Sequence, residues 1–364
     1  MMLPMSERIG ILTGGGDCPG LNAAIRAVVK HGIGTHGWEI VGIKDAFKGL
    51  VEKRTMPLTL DSVRGLLDKG GTILGSSNRA HPYHYPVIEN GKEVIKDVSG
   101  IVLENMKELG LDGLIVVGGD GTMGIAHGLC NQGAKIVGIP KTIDNDLEAT
   151  DATIGFQTSV DIATAAIDRL HTTAESHDRI IICEVMGRYA GWIAMHAGLS
   201  SGADVILIPE IQYDFEKVAN ALKTRHKNGK SYSIVVVAEG ALPKDGKHAT
   251  VKEGDPAEQD RLGGAGQKLA HDLAKATDFD IRVTVLGHVQ RGGSPCSFDR
   301  LLATKFGAAA VDMVANKQFQ QVVALKGGEI TKVSMDLAAK KIKCVKPNGV
   351  VVKTAESLGV CVGR

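Results

Sequence analysis

The sequence GGDGT at residues 118–122, followed by PKTIDND at residues 140–146, gives the clearest indication of how this chain folds. Each motif comes after a short apolar run rich in branched residues, LDGLIVV from Leu111 and AKIVGIP from Ala134. Such runs, bounded by glycine or polar turns, predict two strands of a parallel sheet. Because ligands bind at the carboxyl ends of strands in open parallel sheets, we expect both motifs to line one crevice.

Strands and helices alternate over most of the chain. Helical spacing of apolar residues follows several apolar runs, as in LNAAIRAVVKHG from Leu21 and SVDIATAAIDRL from Ser159. This alternation predicts an α/β protein with crossover units and helices on both faces of parallel sheets. Residues 78–100 are expected to form an irregular excursion. The predicted strands are 9–13, 39–43, 114–117, 135–139, 179–185, 205–208, 233–238 and 282–286.

Composition narrows the classes of protein that remain. The length of 364 residues suggests two domains, and 43% apolar with 23% charged residues is typical of a globular protein. A net charge of +1 with interspersed signs gives no field that would favour nucleic acid or an anionic membrane as a partner. The six cysteines are widely separated and lack metal-binding spacing, so we expect reduced thiols. With no evident signal sequence or membrane-spanning run, we expect a cytoplasmic protein.

Two glycine-rich turns are candidates for binding an anion. TGGGDCPGLNAAIRAVV from Thr13 joins the first strand to the first helix, where backbone amides and the helix dipole favour negative charge. A tight turn without a ligand would also explain it. In GGDGT, Asp120 could hold Mg²⁺ beside such a backbone. The alternative is a capped helix start, with Asp120 or Thr122 bound to helical amides.

The TIDND motif adds carboxylates suited to phosphoryl transfer. Asp144 and Asp146 alternate along the turn, so one can face an acceptor hydroxyl while the other faces a metal ion. An aspartate with a pKa near 3.9 is a weak base. It suffices when phosphoryl transfer is loose and the proton leaves late.

Several arginines lie at predicted strand ends or in glycine-bordered turns, where they could hold an anionic acceptor. Each could equally be an ordinary surface residue, but a guanidinium fork suits a phosphate group. Glu239, after the strand SIVVVA, could bind sugar hydroxyls or could be a solvated acid. The arginines are Arg179, Arg188, Arg282 and Arg291.

With GGDGT, PKTIDND, EVMGRYAGW and LGHVQRGGSP in this order, the chain closely resembles the 6-phosphofructokinase family. The resemblance implies two doubly wound, three-layer α/β/α domains with the active site in the cleft between them. It assigns residues 1–155 and about 290–330 to a phosphoryl-donor domain, and about 156–289 and 331–364 to a fructose 6-phosphate domain. It also implies a homotetramer or homodimer that uses ATP and Mg²⁺ to phosphorylate fructose 6-phosphate at O1 in glycolysis.

The resemblance also assigns individual roles. Asp144 looks like the general base, with Arg188 and Thr142 as further catalytic residues, and Asp120 and Asp146 look like the metal ligands. Arg179 and Arg282 would reach the 6-phosphate from a neighbouring subunit. The donor would contact Gly15, Gly16, Arg79, Gly119, Asp120, Gly121 and Thr122. Fructose 6-phosphate would contact Thr142, Ile143, Asp144, Arg179, Met186, Gly187, Arg188, Glu239, Arg282, His288, Val289, Gln290 and Arg291.

Two positions bear on the phosphoryl donor. In the pyrophosphate-using branch of the family, an Asp typically follows GGD and a Lys precedes TIDND, whereas ATP-using bacterial enzymes have Gly at both places. This chain has Gly121 and Lys141, a mixed pattern. A carboxylate at position 121 would crowd the α-phosphate of ATP, whereas Lys141 could serve either donor. The pattern resembles the mixed-substrate branch in its ATP-using form.

Other readings remain open at this point. NAD kinases and lipid kinases also carry GGDGT but lack the other motifs. A pyrophosphate-dependent enzyme is the main competitor. A catalytically silent sensor of nucleotides and sugar phosphates would be expected to have lost Asp120 or Asp144, and both are present.

Overall fold

The computed structural model describes residues 6–77, 81–244, 246, 250–252, 261–340 and 342–364. The strands are β1 Arg8–Thr13, β2 Glu39–Ile43, β3 Thr55–Leu58, β4 Tyr85–Glu89, β5 Lys92–Lys96, β6 Gly113–Gly118, β7 Ile136–Pro140, β8 Ile180–Val185, β9 Val205–Leu207, β10 Ser233–Ala238, β11 Thr250–Lys252, β12 Arg261–Leu262, β13 Ile281–Val285, β14 Gln321–Lys326 and β15 Glu329–Ser334. The α-helices are α1 Leu21–His36, α2 Phe47–Val51, α3 Ser99–Glu108, α4 Asp120–Asn131, α5 Phe156–Ser176, α6 Trp192–Ser200, α7 Phe215–Lys227, α8 Ala265–Ala276, α9 Ser297–Ala315, α10 Met335–Lys340 and α11 Val350–Ser357.

The chain divides into two compact units. The first unit comprises Met1–Thr142, Leu147–Gly155 and Arg291–Ile342, and the second comprises Ile143–Asp146, Phe156–Gln290 and Lys343–Arg364. Residues 331–340 and 342, which were predicted to belong to the second domain, lie in the first unit. Among them, residues 331–334 belong to β15, which pairs antiparallel with β14 along its whole length.

The first unit is built on a seven-stranded sheet in the order β15-β14-β7-β6-β1-β2-β3. The strands from β14 to β2 are parallel, and the two edge strands are antiparallel to their neighbours. Helices α2, α3, α4 and α10 share a buried apolar cluster with one face of this sheet. Helices α1 and α9 pack together so closely that a Cβ at Gly307 would lie 2.7 Å from the Cβ of Ala27.

The second unit is built on a parallel four-stranded sheet in the order β13-β8-β10-β9. Helices α7 and α8 cover the face that presents Ile182, Val235 and Val237. On the opposite face, Gly198 of α6 lies against Ile206 and Val236. The predicted α/β fold, with helices on both faces of doubly wound sheets, is confirmed.

Each of the eight predicted strands is present, and each bound agrees to within one residue. The expected irregular excursion is wrong for residues 85–96, which form the β4–β5 hairpin. Its turn residues, Asn90 and Gly91, have φ values of 52° and 76°, the conformation that a two-residue hairpin turn requires. Among the described helices, none is long and apolar enough to cross a membrane.

Candidate active site

The first cluster of predicted site residues lies where the sheet of the first unit reverses its strand order. From β1 the chain proceeds to β2 on one side, and from β6 to β7 on the other, so the loops after β1 and β6 flank the reversal point. These two strands are parallel neighbours, and the Gly14 amide donates to the Val117 carbonyl at 2.9 Å. Ligands of doubly wound proteins bind at this position of the sheet.

Glycine is required where these loops meet Thr122. A Cβ at Gly14 would lie 2.8 Å from the Thr122 side chain, and one at Gly118 would lie 2.4 Å from it. Thr122 itself is buried. Its side chain therefore packs between the two loops, which brings their backbones close enough to present amides to one ligand.

A cavity of about 340 Å³ opens beside this glycine-rich loop. Residues 72–77 form the side of the cavity opposite the glycine-rich loop, and Thr13 connects them to β1. Its hydroxyl lies 2.9 Å from the Thr72 hydroxyl and donates to the Gly75 carbonyl at 2.9 Å. The Ser76 hydroxyl donates to the Gly15 carbonyl. Thr72 and Ser76 were not predicted to line a site, and in LGSSNR only Arg79 was, which lies outside the described residues. The cavity is lined by Gly15, Gly16, Asp17, Thr72, Ser76 and Ser77.

Lys141 is buried against the same loop, with 3% of its surface exposed. Its ammonium donates to the Gly16 carbonyl, and its Nζ lies 3.6 Å from where a Gly15 Cβ would be. A buried cation at this position favours an anion in the cavity. The neighbouring Cys18 is no nucleophile, because burial raises the pKa of its thiol to about 12 despite the lowering effect of Lys141.

Arg291, predicted to bind fructose 6-phosphate, lies in the first unit against the glycine-rich loop. Its Nη1 donates to the Asp17 carbonyl at 3.2 Å and lies 2.7 Å from where a Gly16 Cβ would be. The guanidinium therefore supports the loop that borders the cavity.

Asp120 is the first residue of α4, directly after its N-cap residue Gly119. Gly119 has no side chain that could cap the helix, and within the described residues neither Asp120 nor Thr122 makes a side-chain hydrogen bond, which argues against the capping alternative. Within the described part of the chain, the Asp120 carboxylate makes no hydrogen bond or ion pair. A carboxylate with its oxygens available, at the positive end of a helix, fits a ligand for Mg²⁺. Gly121 is exposed, and no atom comes within 4 Å of where its Cβ would be.

The second cluster of predicted site residues belongs to the second unit and begins with the turn 143–146. Ile143, Asp144 and Asn145 are buried, and Asp144 is 5% exposed. Asn145 has φ of 51°, a left-handed conformation that Asn tolerates better than most residues. The turn thus holds Asp144 in a largely water-excluded position.

Three parallel strands of the second unit end beside one another. Residues 186–188 follow β8, Glu239 follows β10, and the 3₁₀ turn Gly287–Arg291 begins two residues after β13. The Glu239 carboxylate accepts the Arg188 amide at 3.0 Å. A Cβ at Gly240 would lie 1.9 Å from the Arg188 carbonyl, so glycine permits this approach.

The sequence prediction brought Met186, Gly187, Arg188 and Glu239 to one end of this sheet, and the structure places them there. His288 and Val289 are exposed at the same end. Gln290 is fully buried and donates to the Gly287 carbonyl at 3.1 Å, so its side chain supports the turn.

Arg179 and Arg282 lie at the amino ends of β8 and β13, at the opposite end of the sheet. Both bind Asp280, with Arg179 Nε and Arg282 Nη1 each 2.6 Å from a carboxylate oxygen. The Arg179 hydrogen bond holds the pKa of Asp280 below its usual range. The structure therefore brings these two arginines together but separates them from Arg188 by the length of a strand. Their predicted contact with a neighbouring subunit's substrate stays a prediction.

Comparison with known proteins identifies the family. Residues 8–314 match the family model described as phosphofructokinase. The chain belongs to the phosphofructokinase family. The resemblance inferred from the four motifs is thereby confirmed.

Relatives of this phosphofructokinase include proteins named for two different donors. ATP-dependent 6-phosphofructokinase 2 of Clostridium perfringens is 50% identical and covers 99% of both chains. ATP-dependent 6-phosphofructokinase of Chloroflexus aurantiacus is 48% identical and covers 100% of this chain and 99% of its own. Pyrophosphate–fructose 6-phosphate 1-phosphotransferase of Streptomyces coelicolor is 50% identical over 93% of this chain and 96% of its own.

Solved phosphofructokinases share the fold. The enzyme of Saccharomyces cerevisiae is 30% identical with a TM-score of 0.76; the match covers 92% of this chain and 45% of the yeast chain, so this chain spans just under half of it. The pyrophosphate-dependent enzyme of Nitrosospira multiformis, at 19% identity, a TM-score of 0.80 and coverage of 99% and 93%, shows the fold alone.

Proposed function

We propose that this phosphofructokinase transfers the γ-phosphoryl group of ATP to the 1-hydroxyl of fructose 6-phosphate, giving fructose 1,6-bisphosphate in glycolysis. The observation that carries the choice of donor is Gly121, which is exposed at the start of α4 with open space beside it. Relatives named ATP-dependent 6-phosphofructokinase also match this chain from end to end.

The groups proposed for the donor are, except for Asp146, those of the first unit. Backbone amides around Gly15, Gly16 and Gly119, with the α4 dipole, would bind the phosphate oxygens. The buried Lys141 ammonium adds positive charge beside them. Asp120 and Asp146 would hold Mg²⁺, which when bound neutralises charge on the donor phosphates.

The groups proposed for the acceptor are, except for Thr142, those of the second unit. Asp144 would take the proton of the 1-hydroxyl late in the reaction, which a weak base can do when bond cleavage to the donor leads. Arg188, whose backbone is fixed by Glu239, would bind phosphoryl oxygens with its guanidinium. Thr142, Met186, Gly187, Glu239 and His288 would hold the sugar phosphate.

We further propose a cytoplasmic homo-oligomer, a tetramer or a dimer. The support is the partly exposed pair of Arg179 and Arg282, which lies away from the other acceptor groups and would serve a neighbouring subunit's sugar phosphate.

A pyrophosphate-dependent reaction is the second candidate. Lys141, typical of that branch, is buried against the glycine-rich loop with its ammonium on the Gly16 carbonyl. Relatives named for pyrophosphate are as similar over 93% of the chain.

The substitution Asp144→Asn tests the proposed chemistry. Because the amide keeps the shape but cannot accept the proton, kcat with ATP should fall by roughly 10²–10⁴-fold. Asp168→Asn, on an exposed part of α5, is the matched control and should match wild type. A coupled assay for fructose 1,6-bisphosphate measures both. An Asp144→Asn variant within tenfold of wild-type kcat would contradict the role of Asp144 as base.

A further inference from the structure

The segment that follows residue 342 binds directly to the turn that carries Asp144. The Lys343 amide donates to the Asp146 carbonyl at 2.7 Å. The Lys343 ammonium donates to the Asn145 Oδ1 at 3.0 Å. One residue thus holds both the backbone and a side chain of the turn, although it lies 198 positions from Asn145 in sequence.

Lys343 also contacts Trp192, the first residue of α6. The Trp192 indole donates to the Lys343 carbonyl at 2.7 Å, and the Lys343 ammonium lies 5.7 Å from the centre of the Trp192 ring, within range of a cation–π contact. Two residues on, the Val345 amide donates to Glu210 Oε1 at 2.7 Å. The same carboxylate accepts the Gly191 amide, directly before α6. The segment 343–345 is therefore fixed to the start of α6.

The contacts of Lys343 explain an unusual feature of the way the chain divides into two units. Residues 143–146 belong to the second unit, although Thr142 before them and Leu147 after them belong to the first. Lys343 begins the C-terminal portion of the second unit. The contacts of Lys343 tie the turn to the unit that carries Arg188 and Glu239.

The turn needs such support because its central residue is in a sparsely populated conformation. Asn145 has φ of 51°, and the residues on both sides of it are the carboxylates Asp144 and Asp146. A small rotation about Asn145 would redirect both carboxylates. Catalytic groups lose rate steeply when their geometry is displaced by as little as 1 Å.

We propose that Lys343 is a positioning residue for phosphoryl transfer, which acts through Asn145 and the Asp146 carbonyl to fix the direction of the Asp144 carboxylate. The inference rests on the proposed function, since it requires Asp144 to be the base. It assigns a role to the C-terminal segment in the chemical step.

Lys343→Met, which keeps the length of the side chain and removes the ammonium, is the first variant. It should lower kcat by roughly 10–100-fold while KM for fructose 6-phosphate and for ATP stays within about threefold of wild type. Lys346→Met is the matched control, because Lys346 is exposed in the same segment. It should behave as wild type. Thermal unfolding of both variants checks that they are folded.

Asn145→Gly makes it possible to distinguish a loss of positioning from a general loss of stability. Glycine adopts φ of 51° without strain, so this variant removes the acceptor of the Lys343 bond and keeps the turn. If Lys343 acts through Asn145, the double variant should lose no more kcat than the more impaired single variant.

Three results would overturn the inference. Lys343→Met could match wild type in kcat, it could raise KM alone, or the kcat losses of the two single variants could multiply in the double variant. Wild-type protein that forms fructose 1,6-bisphosphate with neither ATP nor pyrophosphate would overturn the proposed function, and the inference with it. If wild type and Lys343→Met form product with the same kcat, the proposed function stands and only the inference about Lys343 is overturned.

Discussion

Gly121→Asp should change the choice of donor without disturbing the fold. The position is exposed in the first turn of α4, and its Cβ would meet no atom within 4 Å. An added carboxylate at a helix N-terminus is stabilising by about 0.3–1 kcal/mol. The variant should therefore unfold at or slightly above the wild-type temperature, so that any loss of activity reports on the donor.

The size of the effect follows from the charge that is added. Two like charges about 4 Å apart repel by about 1 kcal/mol in water and about 4 kcal/mol at an effective dielectric constant near 20. Because the position is exposed, the cost lies between these limits. With a factor of ten for each ~1.4 kcal/mol, kcat/KM for ATP should fall by roughly fivefold to 1000-fold.

The assay compares kcat/KM for ATP and for pyrophosphate at saturating fructose 6-phosphate. Gly121→Asn separates size from charge and should retain most ATP activity. Gly124→Asp adds the same charge further along α4, where a Cβ also meets no atom within 4 Å, and should resemble wild type. A folded Gly121→Asp variant that loses less than twofold in kcat/KM for ATP would refute the electrostatic reasoning.

Three further predictions concern groups that are buried or partly buried. Lys141→Met should lower the free energy of unfolding by about 1–3 kcal/mol in urea denaturation, because the Gly16 carbonyl loses a charged donor. Lys135→Met, at an exposed position, is the control. Equal urea midpoints for Lys141→Met and wild type would contradict the prediction. Glu184→Gln should cost about 1–3 kcal/mol in the same measurement, since the Glu184 carboxylate accepts the amides of Gly264 and Gly266 at 3.0 and 2.8 Å; the exposed Glu175→Gln should cost nothing measurable. Burial, with the nearby Lys343 charge, lowers the pKa of His196, so the unfolded state binds the proton more tightly. The neutral His196 side chain should therefore contribute to the free energy of unfolding above pH ~6.5, and this contribution should be lost as the pH falls through the folded-state pKa. His196→Gln should flatten the dependence of the free energy of unfolding on pH between pH 5 and 7. An unchanged slope would contradict the prediction.

Eight of the nine strands that have parallel neighbours could be predicted, most of them because their buried residues form unbroken apolar runs, as in LIVVG of β6 and IVVVA of β10. The ninth, β14, was missed. The two edge strands of the first sheet were missed for physical reasons. Strand β3 contains Pro57, which suits only an edge, and the burial of β15 follows no continuous apolar run. The β4–β5 hairpin carried the Asn90–Gly91 signal, but the strands around it are largely exposed.

The motifs indicated the candidate site because each glycine-rich or acidic motif directly follows a predicted strand. They could not locate residues whose position depends on contacts distant in sequence. Thr72 and Ser76 reach the cavity through Thr13 and Gly15, about 60 positions away. Arg291 was assigned to the sugar phosphate, and its contact with Asp17, 274 positions away, is visible only in the folded chain.

The most direct test of the proposed function measures fructose 1,6-bisphosphate formed from fructose 6-phosphate and Mg²⁺ with ATP or pyrophosphate supplied separately to the wild-type protein. The open space at Gly121 predicts a higher kcat/KM with ATP. Product formed with pyrophosphate but not with ATP would show that Lys141 determines the donor and would contradict the assignment to ATP.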